Sequence, residues 1–239
     1  MKRKIFRRFG FNSIRFVTSG ILFLFLIWCT IFDPSLPFNL PLPVYIIATL
    51  FYGFFPLCDI FGIVFKPLYK HKNLKSNYIP KEYNKEKFLK DKKRYDIGAL
   101  ISIILWFIFM GIVAVLFFNN IIKNIHILLL FGFLNFSIYF AVLFWCPFNS
   151  ILIKPKCCMN CRIYSWDMFF NYCFLIFIPN IFTITLVALS TISLIKWEIT
   201  YLLHPERYYT SSNAKLKCTN CNLDHCRQGK PLVCNKKSK

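Results

Sequence analysis

Long apolar runs alternate along this chain with short polar or strongly basic blocks. Residues 16–32 form an uncharged run of 17 residues, entered through the basic segment MKRKIFRRFGFNSIR. Neither fate of a cleaved leader fits it. No small-x-small site follows, and bulky Trp28 precedes Cys29 where lipoprotein processing needs a small residue, so the run reads as a retained helix. The segment DPSLPFNLPLP then breaks the helix, because each proline lacks an amide donor. Residues 40–65, 97–118 and 127–145 give three further spans, the second of the four carrying a helix-kinking Pro56 and the last two joined by NNIIKNIH. Each approaches the ~20 apolar residues that a bilayer core requires. Helices are expected throughout, because strands would leave open edges in lipid.

The last apolar region, residues 168–195, is interrupted by Pro179-Asn180 and admits two readings. One is a single tilted fifth span. The other is a hairpin in which residues 166–178 enter the membrane, turn at Pro179-Asn180, and return through a helix from Ile181 to about Leu203. Basic residues bear on the choice. Six precede the first span and eleven lie between Lys66 and Asp96, whereas the turn after the first span has none and the turn after the third only Lys123. That bias places the N-terminus, the long loop and the connection after the fourth span in the cytoplasm. The tail from His204 onward carries eight more basic residues. A hairpin keeps this tail on the same side, and a single crossing would break the bias, so the hairpin is preferred.

The expected organisation is thus an all-α, polytopic integral protein of the cytoplasmic (inner) membrane. It has a basic N-terminus (1–15), a first helix pair (16–65), a basic loop (66–96), a second pair (97–145), a Cys-rich connection (146–167), a hairpin or fifth span (168–203) and a Cys-rich basic tail (204–239). Composition agrees with a membrane solvent: 56% of residues are apolar, 19% aromatic and 17% charged. The net charge of +20 sits in blocks between the apolar runs, and nucleic-acid binding would rest on charge alone, so it is set aside. The loop before the third span could lie on anionic lipid; the plainer alternative is a solvated, partly helical segment with Glu86 paired to Lys90.

Eleven cysteines change the picture. Cys29, Cys58, Cys146 and Cys173 lie in or beside apolar runs and read as packing residues. The other seven fall in Lys-rich segments, and they include two clips of one design, Cys158-Met159-Asn160-Cys161 and Cys218-Thr219-Asn220-Cys221. In a reducing compartment clustered thiols point to metal or redox work instead of disulfides. Two Cys-x-x-Cys turns can complete a four-sulfur shell, and neighbouring Lys156, Arg162, Lys215 and Lys217 favour thiolate. Cys157 adds an adjacent thiol, and Cys226 and Cys234, with His225, offer the tail enough ligands to close a site alone. The expected metal candidates are therefore Cys157, Cys158, Cys161, Cys218, Cys221 and Cys226. Zinc is the favoured ion, with an iron–sulfur cluster as the alternative.

Catalytic signals are weak. There is no phosphate-cradling glycine loop, His-Glu-x-x-His helix or Gly-x-Ser-x-Gly elbow. His204 and Glu206, at the end of WEITYLLHPERYY, could serve as acid and base on a lipid head group. The plainer reading is a helix stopped by Pro205, a Glu206–Arg207 surface pair, and an interfacial belt of Trp197, Tyr201 and Tyr208. Asp59 is ionisable within an apolar span, which marks a pathway or a partner contact unless it reaches head-group water. The functional expectation is a membrane protein with a Cys-ligated metal module of structural, regulatory or partner-docking role at its cytoplasmic face. An iron–sulfur electron-transfer subunit and an interfacial lipid-modifying enzyme are the rivals.

Overall fold

The computed structural model describes residues 11–62, 78–144 and 162–216, and among them every regular element is helical. The helices are α1 (Phe11–Phe32), α2 (Leu42–Phe61), α3 (Lys85–Phe118), α4 (Asn124–Leu143), α5 (Arg162–Tyr172, prolonged by a 3₁₀ stretch Cys173–Phe177) and α6 (Ile181–Leu203). Five of them, all but α5, are long and apolar enough to cross a membrane. The four expected spans are therefore present, with shifted ends that have local causes. α2 stops at Phe61, not residue 65, because Gly62 takes the left-handed conformation (φ 68°) and donates its amide to the Cys58 carbonyl. α3 begins at Lys85, so the basic loop expected over 66–96 ends well before Asp96. Asn84 caps the helix by accepting the Lys87 amide at 3.1 Å, and Glu86 suits the positive end of the helix dipole.

The last apolar region is a hairpin and not one tilted helix. After the 3₁₀ stretch the chain turns at Pro179-Asn180, and the Asn180 Oδ1 accepts the amides of Phe182 and Thr183, each at 2.9 Å, to start α6. Thr183 returns the favour by accepting the Asn180 amide at 3.0 Å. The outward limb is less shallow than its length suggests. Eleven α-helical residues rise ~16 Å and five 3₁₀ residues a further ~10 Å. Phe177 accordingly reaches the last turn of α3, 5.4 Å from Phe117 and 6.2 Å from Phe118, ring to ring.

Helix packing follows from aromatic and small residues. α1 lies along α4, with the rings of Phe16 and Phe23 packed against those of Phe133, Phe136 and Phe144, and with Leu26 seated on Gly132. α2 lies along α6, where Gly53 faces Leu186 and Leu189. α5 is the enclosed helix, touching α3, α4 and α6, and its Asn171, Tyr172, Cys173, Phe174 and Leu175 are all buried. The outer faces of the long helices remain studded with exposed Ile, Leu and Phe, as lipid-facing surfaces should.

Pro56 lies inside α2, and the helix continues through it. A proline at that position has no N–H to give the carbonyl four residues earlier, which belongs to Tyr52. The Tyr172 hydroxyl of α5 donates to that carbonyl at 3.0 Å, so a neighbouring helix supplies what the proline withholds. A second freed backbone acceptor, the Ile60 carbonyl in the last turn of α2, receives the Lys196 ammonium of α6.

Candidate functional site

The ends of the helices sort into two sets. Lys196 touching Ile60, the Arg15 guanidinium over the rings of Phe55 (3.4 Å) and Tyr139 (4.7 Å), and Trp166 bonded to Glu198 tie together the start of α1, the ends of α2, α4 and α6 and the start of α5. The Tyr201–Asp96 bond brings the start of the apolar part of α3 to the same end. Charged residues of the spans gather here, and this charged end carries the most elaborate polar structure among the described residues.

At its centre is a chain of hydrogen bonds. The Tyr201 hydroxyl donates to Asp96 Oδ1 at 2.6 Å, and since its one proton is thereby used, the Tyr209 hydroxyl at 2.5 Å donates to Tyr201. Tyr201 and Tyr209 are buried, so each bond polarises the next in a low-dielectric setting. Beside it the Trp166 indole N–H donates to Glu198 Oε1 at 2.6 Å. Aromatic rings fill the remainder: Tyr95 stacks on Tyr209 (5.6 Å, 5°), Trp197 stacks on Tyr201 (5.5 Å, 5°), and Phe88 and Tyr208 meet Tyr209 and Tyr201 edge-on. Burial pushes the Tyr208 phenol up, with Glu198 and Glu206 adding to that and Arg207 opposing it, so this ring stays neutral. The expected interfacial belt of Trp197, Tyr201 and Tyr208 is thus a packed aromatic cluster, with the Tyr201 hydroxyl held in the hydrogen-bond chain.

The segment after α6 is stitched onto this core. A 3₁₀ turn (Pro205–Tyr208) leads to Ser212 and Asn213, both fully buried. Ser212 Oγ donates to the Glu206 carbonyl at 2.5 Å, and Asn213 Nδ2 to the Arg207 carbonyl at 2.8 Å. Residues 79–81 pair with this stretch: the Ala214 amide donates to the Ile79 carbonyl at 2.9 Å and the Lys81 amide to the Ser212 carbonyl at 3.1 Å, about an isolated bridge between Pro80 and Asn213. Leu216, fully buried, closes it.

The sequence candidates fall as follows. Cys157, Cys158, Cys161, Cys218, Cys221 and Cys226, with His225, Cys146 and Cys234, lie outside the described residues. Among the described residues no group of three or more His, Cys, Asp or Glu side chains is placed to hold a metal ion. Cys29, Cys58 and Cys173 are buried free thiols, as their apolar settings suggested. His204 Nδ1 lies 3.4 Å from Glu206 Oε1, with the two side chains 46% and 30% exposed, so the pair is a local one at the surface. The expected Glu206–Arg207 pairing is replaced by this contact, because the 3₁₀ turn folds Glu206 back toward the end of α6. Asp59 is half-buried between α2 and α6, where the Ser193 hydroxyl donates to it at 3.5 Å. The Asp96–Tyr201–Tyr209 chain was missed. Its only advance signal was the density of Trp and Tyr around WEITYLLHPERYY, which a lipid interface would use equally well.

The chain matches no protein-family model, and no curated protein or solved structure matches it significantly.

Proposed function

We propose that this chain is a multi-pass protein of the cytoplasmic membrane, with its N-terminus and tail in the cytoplasm, whose charged end carries a Cys-ligated zinc module. Cys158 and Cys161 supply one half of the shell and Cys218 and Cys221 the other, with Cys157 and Cys226 as adjacent thiols. The module's role is structural: it locks the tail against the membrane portion and presents a fixed surface to a protein partner.

One observation carries this reading. Trp166, which follows the first clip closely in sequence, and Tyr208, Tyr209 and Leu216, which precede the second, sit at the same end of the bundle, the first three in a single buried cluster. The hairpin makes this possible by returning α6 to the end from which α5 set out. Two clips attached at one end can share an aqueous compartment, and a CxxC pair from each gives the tetrahedral sulfur set that zinc takes. The exposed, purely local His204–Glu206 contact gives no support to lipid chemistry there.

The test is metal content and side. Full-length protein purified in mild detergent should be colourless and hold stoichiometric zinc, lost when Cys158 and Cys161, or Cys218 and Cys221, are replaced by Ser. Brown, bleachable protein would instead establish the iron–sulfur alternative. In intact cells an impermeant maleimide should leave all four thiols unmodified. Labelling of Cys218 or Cys221 with sparing of Cys158 and Cys161 would overturn the shared site.

A further inference from the structure

α3 is one uninterrupted helix of 34 residues, ~51 Å long, against a hydrocarbon core of ~30 Å. Its apolar stretch starts at Ile97, so the turns before that residue stand beyond the acyl chains. Those turns are sharply sided. Phe88 and Tyr95 are buried and face the Tyr209 ring, and Asp96 is turned inward to accept from Tyr201. At 100° per residue, the opposite side presents Lys87, Lys90, Lys93 and Arg94, all exposed, against two counter-charges, Glu86 at the far tip and the half-buried Asp91 on the flank beside Lys87 and Arg94.

That outward side continues straight down the helix as Ile97, Ile101, Ile104, Ile108 and Ile112, each between 43% and 56% exposed. These are the side chains an acyl tail would lie against. A lipid resting on them has its phosphate within the head-group layer, which is ~5–8 Å deep. Arg94 stands ~4.5 Å and Lys93 ~6 Å above Ile97 along the axis, and Lys90 ~10 Å, from where its stem can bend back. We propose that this face of α3 is a binding site for anionic phospholipid, with the tail on the isoleucine stripe and the head-group phosphate held by Lys90, Lys93 and Arg94. With Asp96 held inward by Tyr201, four cations stand against two carboxylates, Glu86 and Asp91, and the lipid side stays net cationic. The inference rests on the membrane reading but not on the metal module.

Full-length protein should be reconstituted into nanodiscs of equal parts phosphatidylcholine and phosphatidylglycerol, and the lipids that stay bound counted by native mass spectrometry. Wild-type protein should retain phosphatidylglycerol in excess of the bulk ratio. R94Q alone should lower that preference about five-fold, and K90Q/K93Q/R94Q should bring the ratio to the bulk value. The same loss of charge at Lys236, Lys237 and Lys239 should leave the preference intact, as should C218S/C221S. Salt at about 1 M, where the Debye length is about 3 Å, should abolish it, while inorganic phosphate at matched ionic strength should compete no better than chloride. The proposal is overturned if wild-type protein shows no preference, if the α3 triple variant keeps it while eluting as a monodisperse species, if the tail variant loses it equally, or if inorganic phosphate displaces the lipid.

Discussion

The bond between Tyr172 and the carbonyl freed by Pro56 makes a prediction with a built-in control. Tyr172→Phe removes one hydroxyl and leaves the ring in place, so its chief effect is to strand the Tyr52 carbonyl inside the bundle. An unsatisfied buried acceptor costs about 1–3 kcal/mol. Pro56→Ala restores an amide at position 56 that can reach that same carbonyl within α2. In that background Tyr172→Phe should cost about 1–2 kcal/mol less, and the double-mutant cycle should report a coupling of that size. Reversible unfolding of the full-length protein in mixed micelles, followed by circular dichroism, gives the four stabilities. If the coupling is below about 0.5 kcal/mol, within the additivity expected of unrelated sites, the Tyr172 hydroxyl is not compensating for the proline and the account of α2 fails.

Two further outcomes can be measured in similar ways. A Cβ at Gly132 would stand 2.7 Å from Leu26 Cδ1, whereas one at Gly111 meets nothing within 4 Å. Carbon contacts sit near 3.5–4.0 Å, so Gly132→Val must push the buried Leu26 side chain from its seat and should cost about 1–3 kcal/mol more than Gly111→Val, with equal costs refuting the close packing. Asp33 lies in the turn after α1, where its Oδ1 accepts the Ser35 hydroxyl at 2.7 Å and amide at 3.1 Å, and these bonds hold its carboxyl below the ordinary value. A depressed carboxylate stabilises its turn above the unfolded-state value, near 3.8, and that contribution is lost as pH falls through the lower folded value. Hydrogen exchange at the Ser35 amide should therefore stay protected down to about pH 4 and lose protection below it, and Asp33→Asn should remove the pH dependence.

What could be read in advance was what depends on the solvent. Spans facing lipid must be apolar over ~20 residues, and the four that are so stand where the hydropathy pattern put them. α5 escapes that logic because protein surrounds it on several sides. Asp167, Asn171 and Tyr172 are tolerated on a helix whose neighbours are side chains, and a 3₁₀ stretch gives it length that its residue count conceals. Pro179-Asn180 was the decisive clue, since an Asn that can cap a new helix after a Pro that ends the old one is a turn in its own right. The start of α3 was obscured by charge: eleven basic residues announce an aqueous loop, yet Asn84 followed by Glu86 is a helix start. The tyrosine–aspartate chain was illegible because its partners, Asp96 and Tyr201, are 105 positions apart. Nothing local distinguishes a tyrosine that bonds a half-buried carboxylate from one that rests at a lipid surface.

α3 is also a lever. Its apolar part and its charged part are one rod, with no proline between Lys85 and Phe118 to absorb bending. A bilayer that thins or thickens changes the angle of such a rod, and a tilt of about 5° about one tip carries the other through about 4 Å. The strip of chain at residues 79–81, which enters this rod and grips Ser212 and Ala214, would ride on that motion. Membrane thickness would thereby be felt, mechanically, by the segment that leads into the tail.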